Sequence, residues 1–278
     1  MTLGPSMFSR WCSMHVAWAT DIHLNFLEPR GRASFFQSIV NRQPDAVVVT
    51  GDIAEAPSLT GYLEEMYQAL QRPLYFVLGN HDFYFGSIEK VRHMVRSWSH
   101  NHSGLTYLGD DMTVMLTSQT AMVGVDGWGD GRFGDYWRSP VRLNDQECIE
   151  DFQGLNREEV LQKLHALGDQ EAECLRMRFR QIVSSYPRIL VLTHVPPFKE
   201  ACWYEGKTGN DDWLPYFTCK AVGEVLLETA QDHPQCTITV LCGHTHHAGT
   251  VHILPNLHVM TGAAEYGQPH VEHILQIV

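Results

Sequence analysis

Seven side chains just past short apolar runs in this sequence are of types that hold metal ions: Asp21, His23, Asp52, Asn80, His194, His244 and His246. They offer imidazole nitrogen and oxygen donors with no thiolate among them. That mixture suits Mn, Fe, Zn, Co or Ni rather than copper(I) or an iron–sulfur cluster. In Asp21-Ile22-His23 and His244-Thr245-His246 the spacing of two places both side chains on one face if extended, or lets a tight loop aim both inward. Seven donors exceed what one tetrahedral zinc can use. Two divalent ions sharing Asp52 as a bridge use the set well.

Each donor sits just past a short apolar run. Val16–Ala19 leads into Asp21 and His23, Ala46–Val49 into Asp52, and Leu74–Leu78 into Asn80. Ile189–Leu192 leads into His194, and Ile238–Leu241 into His244 and His246. Runs of four or five residues, rich in Val and Ile and bounded by Gly or Pro, read as buried strands. Helical patterns at Arg32–Asn41 and Leu59–Leu70 separate the first three, the alternation that yields a parallel sheet. Further helices are expected over Ser87–Trp98, from about Thr218, and over Asn156–Ser184, where Asn156 caps and Gly168 is a possible break. Thr113–Thr117, Ala121–Val125, Thr250–Leu254, Leu257–Thr261 and Glu272–Ile277 suggest an antiparallel partner sheet. Ligands bind where strands end at the carboxyl edge of such sheets. An Asp there is often only a cap, and a lone His only structural. Five such ends in one chain argue otherwise.

The five blocks, Asp21-Ile22-His23, Gly51-Asp52, Gly79-Asn80-His81-Asp82, His194 and Gly243-His244-Thr245-His246, occur in the order of the signature blocks of the calcineurin-like metallophosphoesterases. The sequence resembles that family from about residue 16 to 246. The resemblance implies a four-layer α/β/β/α sandwich of two mixed β-sheets flanked by helices. It implies that Asp21, His23, Asp52 and His246 hold one metal, and Asp52, Asn80, His194 and His244 the other. His81 would face substrate. Two cations roughly 3.5–4 Å apart stabilise the attacking and leaving oxygens of an in-line displacement at phosphorus. The bridging hydroxide would attack phosphorus, and His81 would assist the leaving group or hydrogen-bond a phosphoryl oxygen. Asp82 either orients the His81 ring or shapes the turn.

Departures from subfamily patterns narrow the expected substrate. Ile53-Ala54-Glu55 follows Asp52, without the arginine-bearing run of protein Ser/Thr phosphatases or the tyrosine of purple acid phosphatases. His81 stands where lipid A-pathway pyrophosphatases tend to carry Arg. A phosphodiesterase on a small nucleotide-like substrate is expected, with a nuclease or a non-catalytic metal-dependent scaffold as alternatives. The count of 20 Lys+Arg against 32 Asp+Glu gives a net charge of −12, which disfavours a nucleic-acid partner. Two segments, 126–138 and 202–217, look like aromatic, glycine-rich loops over the site's mouth. Their rings either stack on a flat leaving group or pack the loops onto the sheet edge. Arg132 is a candidate substrate contact.

Seven cysteines, odd in number and never spaced as CxxC, point to a reducing, cytoplasmic setting. No apolar stretch approaches the roughly 20 residues needed to cross a bilayer. The apolar run at 11–19 flows directly into Asp21 and His23, so cleavage there would remove chemistry. A loose tail over 1–13 and a single domain over 14–278 are expected.

Overall fold

A computed structural model describes residues 13–110 and 112–278, so the expected tail lies almost wholly outside the described residues. The strands in chain order are β1 (Met14–Ala19), β2 (Ala46–Thr50), β3 (Leu74–Val77), β4 (Leu105–Tyr107), β5 (Val114–Met115), β6 (Thr120–Gly124) and β7 (Arg188–Leu192). A short hairpin, β8 (Trp203–Tyr204) and β9 (Lys207–Thr208), follows, then β10 (Thr237–Cys242), β11 (Gly249–Leu254), β12 (Leu257–Thr261) and β13 (His273–Ile277). The helices are α1 (Pro29–Val40), α2 (Leu59–Leu70), α3 (Ile88–His100), α4 (Asp145–Cys148), α5 (Arg157–Ile182), α6 (Leu214–Phe217) and α7 (Lys220–Asp232).

Two large mixed sheets, ordered β13-β1-β2-β3-β4 and β11-β12-β10-β7-β6-β5, pack face to face. Side chains alternate across each strand with a period of two, and three apolar clusters result. Val16, Trp18, Ala46 and Val48 meet Met122, Leu190, Leu192 and Leu241 between the sheets. Ala17, Ala19, Val47 and Val49 turn the other way, onto Phe36, Leu63, Val91 and neighbouring helical residues. Ile189, Val191, Ile238 and Val240 pack on Leu175, Phe179, Val222 and Leu226 of α5 and α7. Three buried interfaces make four layers, α/β/β/α.

Direction within the second sheet differs from the sequence expectation. β6 and β12 run parallel to β7 and β10, only the edge strands β5 and β11 are antiparallel, and β13 joins the first sheet beside β1. A short alternating run fixes which face is apolar but not which neighbour it pairs with. Nor does Gly168 break α5, which is continuous from an Asn156 capping box to Ile182. A Cβ at Gly168 would stand 2.7 Å from Asp130 Cβ, so the glycine lets the 126–138 segment lie against the helix.

The first half of that segment, 126–130, is therefore core rather than a flap. Asp126, Trp128, Asp130 and Tyr136 are buried, so the packing alternative holds for those two rings, while Trp137 is exposed. Among the described residues, no helix is long and apolar enough to cross a membrane.

Candidate metal centre

The five strand ends meet at one edge of the sandwich, and their loops are tied by main-chain hydrogen bonds. Asp21 N donates to Gly51 O (3.0 Å), His23 N to Asp52 O (3.0 Å) and Gly243 N to His194 O (2.8 Å). Five of the nine described non-glycine residues with positive φ are Asp21, His23, Asp52, His244 and His246. Left-handed backbone costs such residues of order 1 kcal/mol each and persists where surrounding structure enforces it. The glycines of the blocks are spacing devices. A Cβ on Gly79 would fall 2.2 Å from Asp52 Oδ1, and one on Gly243 2.0 Å from Asp21 Oδ2.

Asp21, His23, Asp52 and His246 each present a donor atom, all within 4.8 Å of one another. On the other side of Asp52, His194 Nε2 lies 3.4 Å from Asp52 Oδ1, 3.2 Å from Asn80 Oδ1 and 3.1 Å from His244 Nδ1. Asp52 Oδ2 faces the first group, 3.7 Å from His23 Nε2. The fold thus brings all seven predicted donors together, with the Asp52 carboxylate between two sets.

The proton positions show what the cluster wants. His194 Nδ1 meets the Thr50 carbonyl at 2.8 Å, and His244 Nε2 meets the Tyr216 carbonyl at 3.2 Å. A carbonyl only accepts, so those nitrogens carry the protons, and in the neutral form of each ring the inner nitrogen is a bare lone pair. Two lone pairs 3.1 Å apart, with the Asn80 carbonyl oxygen 3.2 Å from one of them, repel unless a cation sits among them. Burial lowers His23 to about 3 and His244 well below its ordinary value, whereas for His246 the Asp21 carboxylate outweighs burial and raises it. Burial and the neighbouring Asp21 push Asp52 well up. Burial alone would also raise Asp21, but contacts from His246, His194 and His23 outweigh it and hold Asp21 low. Imidazole nitrogens around closely spaced carboxylates fit divalent cations.

The surroundings include residues the sequence did not mark. Asp145 Oδ1 accepts from Asn80 Nδ2 and from the Tyr84 hydroxyl, each at 2.8 Å, which turns the Asn80 carbonyl oxygen inward. Asp145 lies on a short helix far from any strand end, so no spacing rule pointed to it. Removing such an orienting group costs 10–100-fold in metal affinity or activity in comparable sites. Asp145→Ala should therefore weaken metal binding about 10–100-fold, measured by titration of the stripped protein, and unchanged affinity would remove it from this role.

Two candidates fare differently. Both oxygens of Asp82 are taken by backbone N–H groups of Ile53, Ala54 and Gly79, at 2.8–2.9 Å. Asp82 shapes the turn and staples the β2 and β3 loops together rather than orienting the His81 ring. The Arg132 guanidinium binds Asp130 at 3.0 Å and Asp169 at 2.8 Å, and Arg132 does not line the cavity at the donors. Its loop turned inward, and its charge is already matched.

A cavity of about 750 Å³ opens from Asp52, Asn80, His81, His244 and His246. The 202–217 segment walls it with Trp203, Tyr204, Trp213 and Phe217, and Tyr266 adds another ring. His81 stands at the floor, stacked on Tyr84 at 4.3 Å, with Nε2 3.9 Å from Asp52 Oδ2.

Among solved structures, the fold is similar to that of phosphopantetheinyl hydrolase from Mycobacterium tuberculosis, at 13% identity over 92% of this chain and 95% of that one, with a TM-score of 0.61. It is also similar to a dimetal phosphatase from Danio rerio, at 14% identity, 90% and 87% coverage and a TM-score of 0.56. A protein of Thermus thermophilus aligns at 14% identity, 90% and 89% coverage and a TM-score of 0.53. No curated relative matches the sequence. The model of the calcineurin-like phosphoesterase family matches residues 14–248, a span that takes in all five strand ends, and the chain belongs to that family of metal-dependent phosphoesterases.

Proposed function

We propose that the chain is a phosphodiesterase acting on a small, nucleotide-like phosphodiester. Asp21, His23, Asp52 and His246 would hold one divalent ion, and Asp52, Asn80, His194 and His244 a second. Bound there, the ions would supply charge neutralisation at phosphorus and lower the pKa of coordinated water. The observation that carries the reading is the cavity: about 750 Å³ walled by aromatic rings, of a size for a cofactor-scale ligand rather than a bare phosphoryl group. Among the described residues, Arg142 and Lys207, which also line the cavity, make no hydrogen bond or ion pair with any of the seven donors. A singly charged diester needs less cationic help than a doubly charged monoester.

His81 is assigned to the leaving side. Burial, then repulsion from His194, lowers its pKa to about 4, so it is neutral near pH 7. A neutral imidazole holds a proton on one nitrogen and can donate it in a hydrogen bond to a departing or phosphoryl oxygen. His81→Ala should keep its metal and lose about 10²–10⁴ in turnover on diesters with poor leaving groups. Equal loss on nitrophenyl and alkyl diesters would take His81 off the leaving group.

The test of the proposed activity is a pair of assays on protein supplied with Mn. Bis-p-nitrophenyl phosphate should turn over faster than p-nitrophenyl phosphate. The reverse preference overturns the diesterase reading, and nicking of a plasmid at comparable rates would favour a nuclease.

A further inference from the structure

Of the 20 Lys and Arg in this acidic chain, at least nine form carboxylate pairs among the described residues. Arg32, Lys90, Arg92, Arg96, Arg132, Arg138, Lys163, Arg176 and Lys220 each pair with a carboxylate. Among the described residues Arg142 and Lys207 have no carboxylate partner, and what sets them apart is that both line the cavity that opens from the donor cluster. Arg142 makes one hydrogen bond, to the Val141 carbonyl at 2.9 Å. Arg142 precedes α4 and Lys207 begins β9, so separate segments of chain bring them to one cavity. Asp145, also in the lining, is used by Asn80 and Tyr84, and Glu205 at the hairpin turn pairs with neither cation.

An unpaired guanidinium and an unpaired ammonium in one cavity attract an anion, with the guanidinium shaped for two phosphate oxygens at once. Building on the diesterase reading, we propose that Arg142 and Lys207 form a second anion subsite, which selects phosphodiesters whose nucleoside-like body carries another phosphate. The aromatic lining would seat the ring between the two phosphates. Glu205 works against this subsite and sets its strength.

Binding to the Mn-loaded protein tests this without requiring turnover. Thymidine 3′,5′-bisphosphate and thymidine 5′-monophosphate differ by the remote phosphate alone, and quenching of tryptophan fluorescence reads both. The bisphosphate should bind about tenfold more tightly, the value of one charge-assisted contact. In the double variant R142Q/K207Q that ratio should fall to about one, and in Glu205→Gln it should widen. Equal affinities in the unaltered protein, or a preference that survives R142Q/K207Q, would overturn the subsite. Hydrolysis of the p-nitrophenyl 5′-esters of thymidine, with and without a 3′-phosphate, separates the two readings. A bisphosphate preference in binding without any diester hydrolysis would sink the diesterase reading and leave the subsite standing.

Discussion

Asp52→Asn should strip both ions and lower kcat/KM by about a thousandfold or more. Asp52 is buried between the two donor groups, with Oδ1 toward His194 and Oδ2 toward His23. Asparagine keeps the shape and can keep the hydrogen bond that Oδ1 accepts from His81 N at 2.9 Å, so the loop should hold. What changes is charge: one carboxylate is lost, and an NH₂ that can only donate faces one of the sites. Lewis-acid stabilisation of a phosphoryl transition state is worth several kcal/mol, and about 4 kcal/mol is a thousandfold in rate. Metal content after desalting and kcat/KM with excess Mn are the measurements. Retention of two ions, or a loss smaller than tenfold, would show that Asp52 does not bridge.

The same substitution should stabilise the metal-free protein, and the sign can be worked out. Burial and Asp21 raise the Asp52 pKa well above its ordinary value, so without a cation its ionised form opposes folding at neutral pH. That penalty grows as pH rises from the unfolded value of about 4 toward the raised folded one. Asparagine carries no such charge, so stripped Asp52→Asn should melt above the stripped parent at pH 7. A site built to hold cations is destabilising while it waits for them.

The donors were legible because each follows a strand of four to six residues, and strand ends are fixed by hydrophobic periodicity. Asp21 after β1 and His194 after β7 needed no knowledge of distant contacts. Direction in the second sheet was not legible, because β6 and β12 alternate equally well in either orientation. Asp145 escaped for a related reason: its role depends on the 65-residue separation from Asn80, which no local pattern encodes. Arg132 and Asp126 share a glycine-rich segment that reads as a surface loop, and only tertiary packing reveals that Asp126 is buried.

Asp126 carries the largest expected loss of stability. Its carboxylate accepts from Leu78 N at 2.9 Å, from Arg92 Nε at 2.8 Å and from the Tyr107 hydroxyl at 2.7 Å, entirely inside the protein. Arg92 also pairs with buried Glu171, so one guanidinium joins α3 to α5 through β6's outgoing loop. Asp126→Ala leaves Tyr107 and the Leu78 amide without an acceptor and the Arg92 charge half-matched. Breaking a buried ion pair by removing one partner costs about 3–5 kcal/mol. Asp126→Asn should lose less, because it retains an acceptor oxygen for one or two of the three donors. Leu78 immediately precedes Gly79 and Asn80, so the loosened β3 end should also weaken metal binding. Denaturant unfolding of the metal-free variants separates these effects. A loss under about 1 kcal/mol for Asp126→Ala would mean that water replaces the carboxylate, and that the network behind the donors does not hold β3 in place.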